Sequence, residues 1–283
     1  MRHRSGQAPD VALDWRRKDD RVAATGCTLI TGASQGIGRA FADVFAEHGH
    51  PLVLVSLPGT GIDAVAAELR QRYGVDVVSF SLDLTRPTSA EALWAAVRDA
   101  GREVEILVNN AGVCASTPFL ETPCDVHDAM LDLNIKAVVD LTHAFGRAMR
   151  TRRRGHILNL CSIAAFQPVP GMAVYAGTKA FILRWSEALA IELRADGVSV
   201  TTLCPGFTRT SMTAAVAGAD FSLPGVPLLE PRRVAEEGYR AVTRRRPLHV
   251  VGAANRVLTS IISVMPEWAR RGCGRIIAHA GWW

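Results

Sequence analysis

The sequence predicts an α/β fold, a doubly wound parallel sheet of about seven strands with helices on both faces. Three observations predict it. Short β-rich runs alternate with longer amphipathic stretches from Gly26 onward, a glycine-rich turn follows the first run directly, and the 283 residues are 48% hydrophobic, enough for one large core. Alternation of this kind implies βαβ units, whose right-handed crossovers place helices on alternate faces.

The strands are expected at 27–31, 52–56, 75–81, 106–109, 155–161, 198–203 and 248–251. Helices are expected to begin near Ile37, Gly61, Ser89, Cys124, Tyr175 and Pro231, with Asn134 inside a regular helical run over 126–145. Residues 1–24 are polar and aperiodic and read as a flexible arm, leaving 25–283 as a single domain. The stretch 211–230 contains Gly218, Pro224, Gly225 and Pro227 and follows a strand's C-terminal end, so it reads as an irregular substrate lid. The tail 266–283 carries Trp268, Trp282 and Trp283 among arginines. Packing on the core is the expectation for it, with a second subunit or a membrane surface as alternatives.

Composition removes several function classes. Charged residues make up 21% and the formal net charge is +5, gathered in short clusters at Arg16-Arg17-Lys18, Arg152-Arg153-Arg154 and Arg244-Arg245-Arg246. No aromatic residues interleave with them, so they read as solvated surface charge and not as a nucleic-acid face. The six cysteines form no C-x-x-C pair and no zinc spacing, so no metal site is expected. The N-terminus lacks a signal-peptide pattern and no run of apolar residues is long enough to span a bilayer, which predicts a cytoplasmic protein without a transmembrane segment.

After the first strand comes Thr31-Gly32-Ala33-Ser34-Gln35-Gly36-Ile37-Gly38. Glycines here allow a sharp turn and close approach of backbone N–H groups to a pyrophosphate, and the helix that follows offers unpaired donors and a partial positive charge. Such a turn after the first strand of an alternating pattern points to a dinucleotide. Asp83-Leu84, near the end of the third strand, adds a carboxylate able to accept from an adenine amino group. Asn109-Asn110-Ala111-Gly112, at the end of the fourth, adds small residues past which a cofactor can run.

Tyr175 and Lys179 stand four residues apart at a helix start and so share one face. A tyrosine hydroxyl is a poor base at neutral pH, and a fixed cation beside it favours the phenolate. Ser162, at the end of the fifth strand, offers a hydroxyl to a substrate oxygen on which charge develops. Asn134 is an unexpected amide in mid-helix; a solvent-facing side chain is its ordinary reading, as a cap is for Ser162.

Together these residues closely resemble the short-chain dehydrogenase/reductase family in its compact single-domain form, over about 27–255. The segment Thr31 to Gly38 resembles the family's TGxxxGxG, Asn109 to Gly112 its NNAG and Tyr175 to Lys179 its YxxxK, with Ser162 thirteen residues before Tyr175. The resemblance implies a Rossmann fold, an NADP or NAD cofactor and a homodimer or homotetramer, formed through helices over 124–150 and 175–194. It implies that Ser162 positions the substrate carbonyl, Tyr175 donates and accepts the proton, Lys179 lowers the tyrosine pKa and holds the ribose, and Asn134 relays protons through water. Gly32, Ser34, Gln35, Gly36, Ile37, Gly38, Ser56, Asp83, Leu84, Asn110, Ala111 and Gly112 would contact the cofactor. Pro205-Gly206 would line the nicotinamide, with Thr210 against its carboxamide.

One departure concerns cofactor choice. The second strand ends Val55-Ser56-Leu57-Pro58-Gly59, with neither the carboxylate that suits NAD nor the arginine that suits NADP. The missing carboxylate tilts the expectation to NADP, with Ser34, Ser56 and Arg39 as polar contacts. Walls at 114–120, 164–172 and 211–230 bring Phe119, Phe166, Met172, Met212 and Phe221, which suits an apolar ketone or secondary alcohol. A non-catalytic dinucleotide sensor or scaffold is the alternative on the same fold. An epimerase or dehydratase is a weaker rival, since few residues follow Gly206 to build a larger substrate domain.

Overall fold

The computed structural model describes residues 26–217 and 228–279. Strands β1 (Cys27–Thr31), β2 (Leu52–Ser56), β3 (Val77–Ser81), β4 (Val104–Asn109), β5 (Gly155–Leu160), β6 (Val198–Cys204) and β7 (Leu248–Val250) form one sheet in the order β3-β2-β1-β4-β5-β6-β7. Every pairing is parallel. The strand order reverses between β1 and β4, and ligands of open α/β sheets bind in the crevice beyond that point.

The helices are α1 (Gly36–Glu47), α2 (Ile62–Tyr73), α3 (Ser89–Asp99), α4 (Cys124–Leu131), α5 (Ala137–Thr151), α6 (Ala173–Glu192), α7 (Ser211–Ala217), α8 (Pro231–Thr243), α9 (Ala253–Val264) and α10 (Glu267–His279). Side chains alternate across the sheet, as the pleat requires. Ile30, Leu54 and Ile106 join Phe41, Phe45, Leu69 and Val234 of α1, α2 and α8 on one face. Leu29, Val53 and Leu107 join Leu93, Leu141, Phe145 and Met149 of α3 and α5 on the other. The doubly wound architecture is therefore as predicted.

The departures have local causes. β3 begins at Val77, not at residue 75, because Gly74 closes α2 with φ +68° and residues 75–76 connect that cap to the strand. β4 begins at Val104, ahead of residue 106; Glu105 concealed it, a buried carboxylate neutralised by Arg154 at 3.2 Å. Part of the segment predicted as irregular is helical, as α7, while residues 218–227, with Phe221, lie outside the described residues, as do 1–25 and the last two tryptophans. The tail forms α10 and leaves Trp268 78% exposed, so packing of that ring on the core is not observed. The run around Asn134 is not regular either: a π-helical turn, Asp132–Lys136, separates α4 from α5.

Two histidines are buried in the sheet layers. His50 lies edge-on to Phe45, and His156 faces the Ser199 hydroxyl at 2.7 Å; burial pushes each imidazole down to about 4. The unfolded chain takes up these protons near pH 6.5 and the folded one only near 4, so stability falls as pH drops through that window. Urea unfolding at pH 7 and pH 5 is expected to differ by about 2 kcal/mol per histidine. His156→Gln should shrink the difference, and an unchanged difference would refute the assignment.

Candidate active site

The glycine turn is built by contacts that tolerate no side chain. A Cβ on Gly38 would lie 2.1 Å from the Gly32 carbonyl and 2.4 Å from Asn110 Nδ2. Gly32 and Gly36 adopt φ +65° and +57°, a region that only glycine enters without strain. Gln35, at the N-cap of α1, is exposed and makes no side-chain capping bond, and no acid occupies the first turn. The leading N–H groups of α1 are thus left for an external acceptor. Ile37 packs against the core and sets the angle at which α1 leaves the turn.

Thr31 organises the neighbourhood, a role that motif reading missed. Its hydroxyl accepts from the Asn110 and Ala111 amides at 3.0 Å each and donates to the Val108 carbonyl. Asn110 Nδ2 donates in turn to the Thr31 carbonyl at 2.8 Å and to that of Gly32. The Asn110 amide therefore clamps the glycine turn to the end of β4. Ala111 and Gly112 follow with almost no side chain, and a Cβ on Gly112 would press on Asn134 Oδ1 at 3.0 Å.

Asn134 is 1% exposed, which overturns a solvent-facing reading. The π-helical turn carries it inward, where Oδ1 accepts from the Val113 amide at 2.9 Å while Nδ2 donates to the Val113 carbonyl at 2.8 Å and to Thr178 Oγ1. Lys179 sits alongside, 5% exposed, its ammonium donating to the Leu160 carbonyl at 3.0 Å and lying 5.7 Å from the Tyr175 ring centre. Burial pushes the Lys179 ammonium down.

Tyr175 is the third residue of α6, which starts at Ala173. Its phenol feels both Ser162 and Cys114: burial pushes it well up, the Cys114 thiol adds to this, and the serine hydroxyl opposes it. Ser162 accepts from the Ala164 amide at 3.1 Å, so its hydroxyl caps the turn that follows β5. The Pro205 carbonyl accepts from the Ile163 amide at 3.0 Å and ties the Pro205-Gly206 turn to the serine loop. A Cβ on Gly206 would strike Asn255, and Thr210 lies over Gly36 with its hydroxyl accepting from the Thr213 amide. Ser162, Tyr175, Lys179 and Asn134 thus converge beside the glycine turn.

The outer parts differ more from expectation. Asp83 lies two residues beyond β3, its carboxylate held well down by bonds from the Thr85 hydroxyl and amide, with Arg86 on its second oxygen; Leu84 is buried beneath it. Arg39 is not free to meet a phosphate in the way suggested above, because it pairs with Asp43 at 3.1 Å and Glu68 at 2.7 Å. Ser56, buried at the end of β2, bonds Ser34 at 2.8 Å and accepts from Thr60 at 2.9 Å, so three hydroxyls gather there. No group of three or more His, Cys, Asp or Glu side chains among the described residues is placed to hold a metal.

The glycine cradle and the open end of α1 fit the pyrophosphate of a dinucleotide, and comparison with known proteins points the same way. The family model described as "short chain dehydrogenase" matches residues 26–219. The chain belongs to that family. Among curated relatives, oxidoreductase UcpA of Escherichia coli is 37% identical over 226 residues, 78% of this chain and 83% of that protein. The probable oxidoreductase EphD of Mycobacterium tuberculosis is 32% identical over 260 residues. That alignment takes in 85% of this chain and 43% of EphD, so the chain spans less than half of that relative's length. A short-chain dehydrogenase from Sphingobium yanoikuyae, solved in complex with NADPH, superposes with a TM-score of 0.74 at 33% identity, over 86% of this chain and 97% of that one.

Proposed function

We propose that the protein is an NAD(P)-dependent oxidoreductase that interconverts a carbonyl and a secondary alcohol on an apolar substrate. The observation that carries this reading is the placement of Tyr175 over the buried Lys179, with Ser162 and Asn134 close by, at the edge of a dinucleotide cradle. The nicotinamide, when bound, supplies or accepts the hydride. Ser162 orients the substrate oxygen and Tyr175 gives it a proton during reduction. Burial keeps the phenol protonated at neutral pH, which suits the donor role. In the oxidative direction the charge of Lys179 opposes the cost of burial and favours the phenolate. Lys179 also has donors left for a ribose, and Asn134, with the Leu160 carbonyl close by, holds the lysine end of a proton path to solvent.

Gly32, Ser34, Gln35, Gly36, Ile37 and Gly38 would meet the pyrophosphate side of the cofactor, Asp83 and Leu84 the adenine, and Ala111, Gly112, Pro205, Gly206 and Thr210 the nicotinamide half. Ser34, Ser56 and Thr60 offer hydroxyl donors and no opposing carboxylate where a 2′-phosphate would lie, which favours NADP over NAD. The NADPH carried by the Sphingobium relative agrees with this. Phe119, Phe166 and Met172 favour an apolar ketone or alcohol. A sensor or scaffold would have no use for a buried ammonium beside a tyrosine, so the catalytic reading is preferred. Exposed Phe181 and Ile191 on α6 favour a homodimer or homotetramer. No described helix is long and apolar enough to cross a membrane, and we place the protein in the cytoplasm.

Titration with NADPH and NADH, followed by nicotinamide fluorescence, tests cofactor use before any substrate is known. NADPH is expected to bind at least roughly tenfold tighter, the effect of one or two added hydrogen bonds to a charged group. Tighter NADH binding would overturn the NADP preference, and binding of neither would overturn the function.

A further inference from the structure

The last forty described residues differ from the rest of the chain in charge. Between Arg240 and His279 there are eight arginines and one acid, Glu267, whereas the whole chain holds 32 basic and 27 acidic residues. Outside this segment acids outnumber bases. The Arg152-Arg153-Arg154 cluster shows what ordinary surface arginines do here: Arg152 and Arg154 pair with Glu103. Arg244 and Arg246 have no carboxylate within ion-pair distance among the described residues. They line a groove of about 910 Å³ together with Arg240, Arg256, Leu248 and Val264; Glu237 also lines it, paired with Arg256 at 3.7 Å and with Arg233 and His249.

Beside that groove stands an apolar helix face with no cover among the described residues. On α9, Val257, Ile261 and Val264 lie one above another at helical spacing and are 61%, 48% and 82% exposed. Trp268, at the start of α10, is exposed as well. The opposite side of α9, Asn255, Thr259 and Ile262, is the buried one. α9 therefore presents apolar side chains to the outside by construction, and a patch of this kind marks an interaction surface.

We propose that the α9 face, Trp268 and the arginine groove form a docking surface for an anionic lipid bilayer. Apolar side chains beside arginines and an exposed tryptophan match the two parts of such a surface, acyl boundary and headgroup. A phosphodiester chain would use the arginines but gain nothing from Val257, Ile261 and Val264. A second copy would cover the apolar strip but would set one arginine-rich surface against another. The negatively charged cytoplasmic leaflet satisfies both. Phe166, four residues after Ser162, lines the groove, and Gly274 of α10 lies over Pro168.

The test is flotation of the full-length protein with vesicles of phosphatidylcholine alone and of phosphatidylcholine mixed with phosphatidylglycerol. The protein is expected to float with the anionic vesicles, at least roughly tenfold less with the neutral ones, and to be released by salt. Arg244→Glu with Arg246→Glu, and separately Val257→Ser with Ile261→Ser, should each reduce flotation by at least roughly tenfold. An unchanged thermal melt shows that each variant is folded. Absence of flotation, or equal flotation with both vesicle types, overturns the proposal. So does a result in which the serine variant only dissociates a dimer, or the glutamate variant only loses binding to DNA, with vesicle binding untouched.

Discussion

Tyr175→Phe is expected to lower kcat by about a thousandfold while leaving the affinity for NADPH within a factor of about two. The substitution removes one oxygen and keeps the ring, so the packing of α6 against the strand ends is preserved. What disappears is the proton donor. The phenol is held protonated by burial, so no other group at that position supplies a proton at neutral pH. Cys114 is near, yet its thiol is pushed up to about 12 by burial and is a poor substitute. Stopped-flow hydride transfer and nicotinamide fluorescence, measured on the same preparation, separate the two effects. Retained turnover would sink the proposed role of Tyr175, and loss of both would mean that the ring, not the hydroxyl, is the important part.

Gly38→Ala is expected to act on the cofactor and not on the chemistry. The added methyl would lie 2.1 Å from the Gly32 carbonyl and 2.4 Å from Asn110 Nδ2, so the turn must open or the Asn110 clamp must break. Overpacking of this kind costs about 1–3 kcal/mol of stability. The larger effect should fall on NADPH binding, weakened at least roughly a hundredfold, because a misplaced turn misdirects several backbone donors at once. Substitution at Gln35, which is exposed and makes no capping bond, should be mild by comparison. Isothermal titration with both variants checks this, and equal effects at the two positions would argue against the cradle.

Much of this architecture can be read from the chain because strands buried on both faces are short unbroken apolar runs. Leu52–Ser56 is entirely buried, and Cys27–Thr31 likewise. The glycine turn and the Tyr175 to Lys179 spacing are equally local, so their proximity to strand ends can be anticipated. Other features depend on partners far along the chain. Thr31 looks like an ordinary strand residue until Asn110, 79 positions later, is placed against it. Arg39 reads as an available cation until Glu68 arrives from the next helix. Glu105 interrupts an apolar run, and only the Arg154 ion pair explains why a strand passes through it. α9 is hidden for a different reason: Val257, Leu258, Ile261 and Val264 face outward, so periodicity there does not report a core.

The π-helical turn at Asp132–Lys136 changes the rotational phase between the helices on either side of it. Each residue of an α-helix advances by about 100°, so a turn holding one residue more than an α-turn shifts everything after it by roughly that angle. α5 is therefore free to aim Leu141, Phe145 and Met149 at the sheet, while α4 keeps a different face, with Met130, for its own neighbours. A continuous helix would have to compromise between the two. The turn decouples them, and Asn134 occupies the junction at which neither helix dictates where a side chain points.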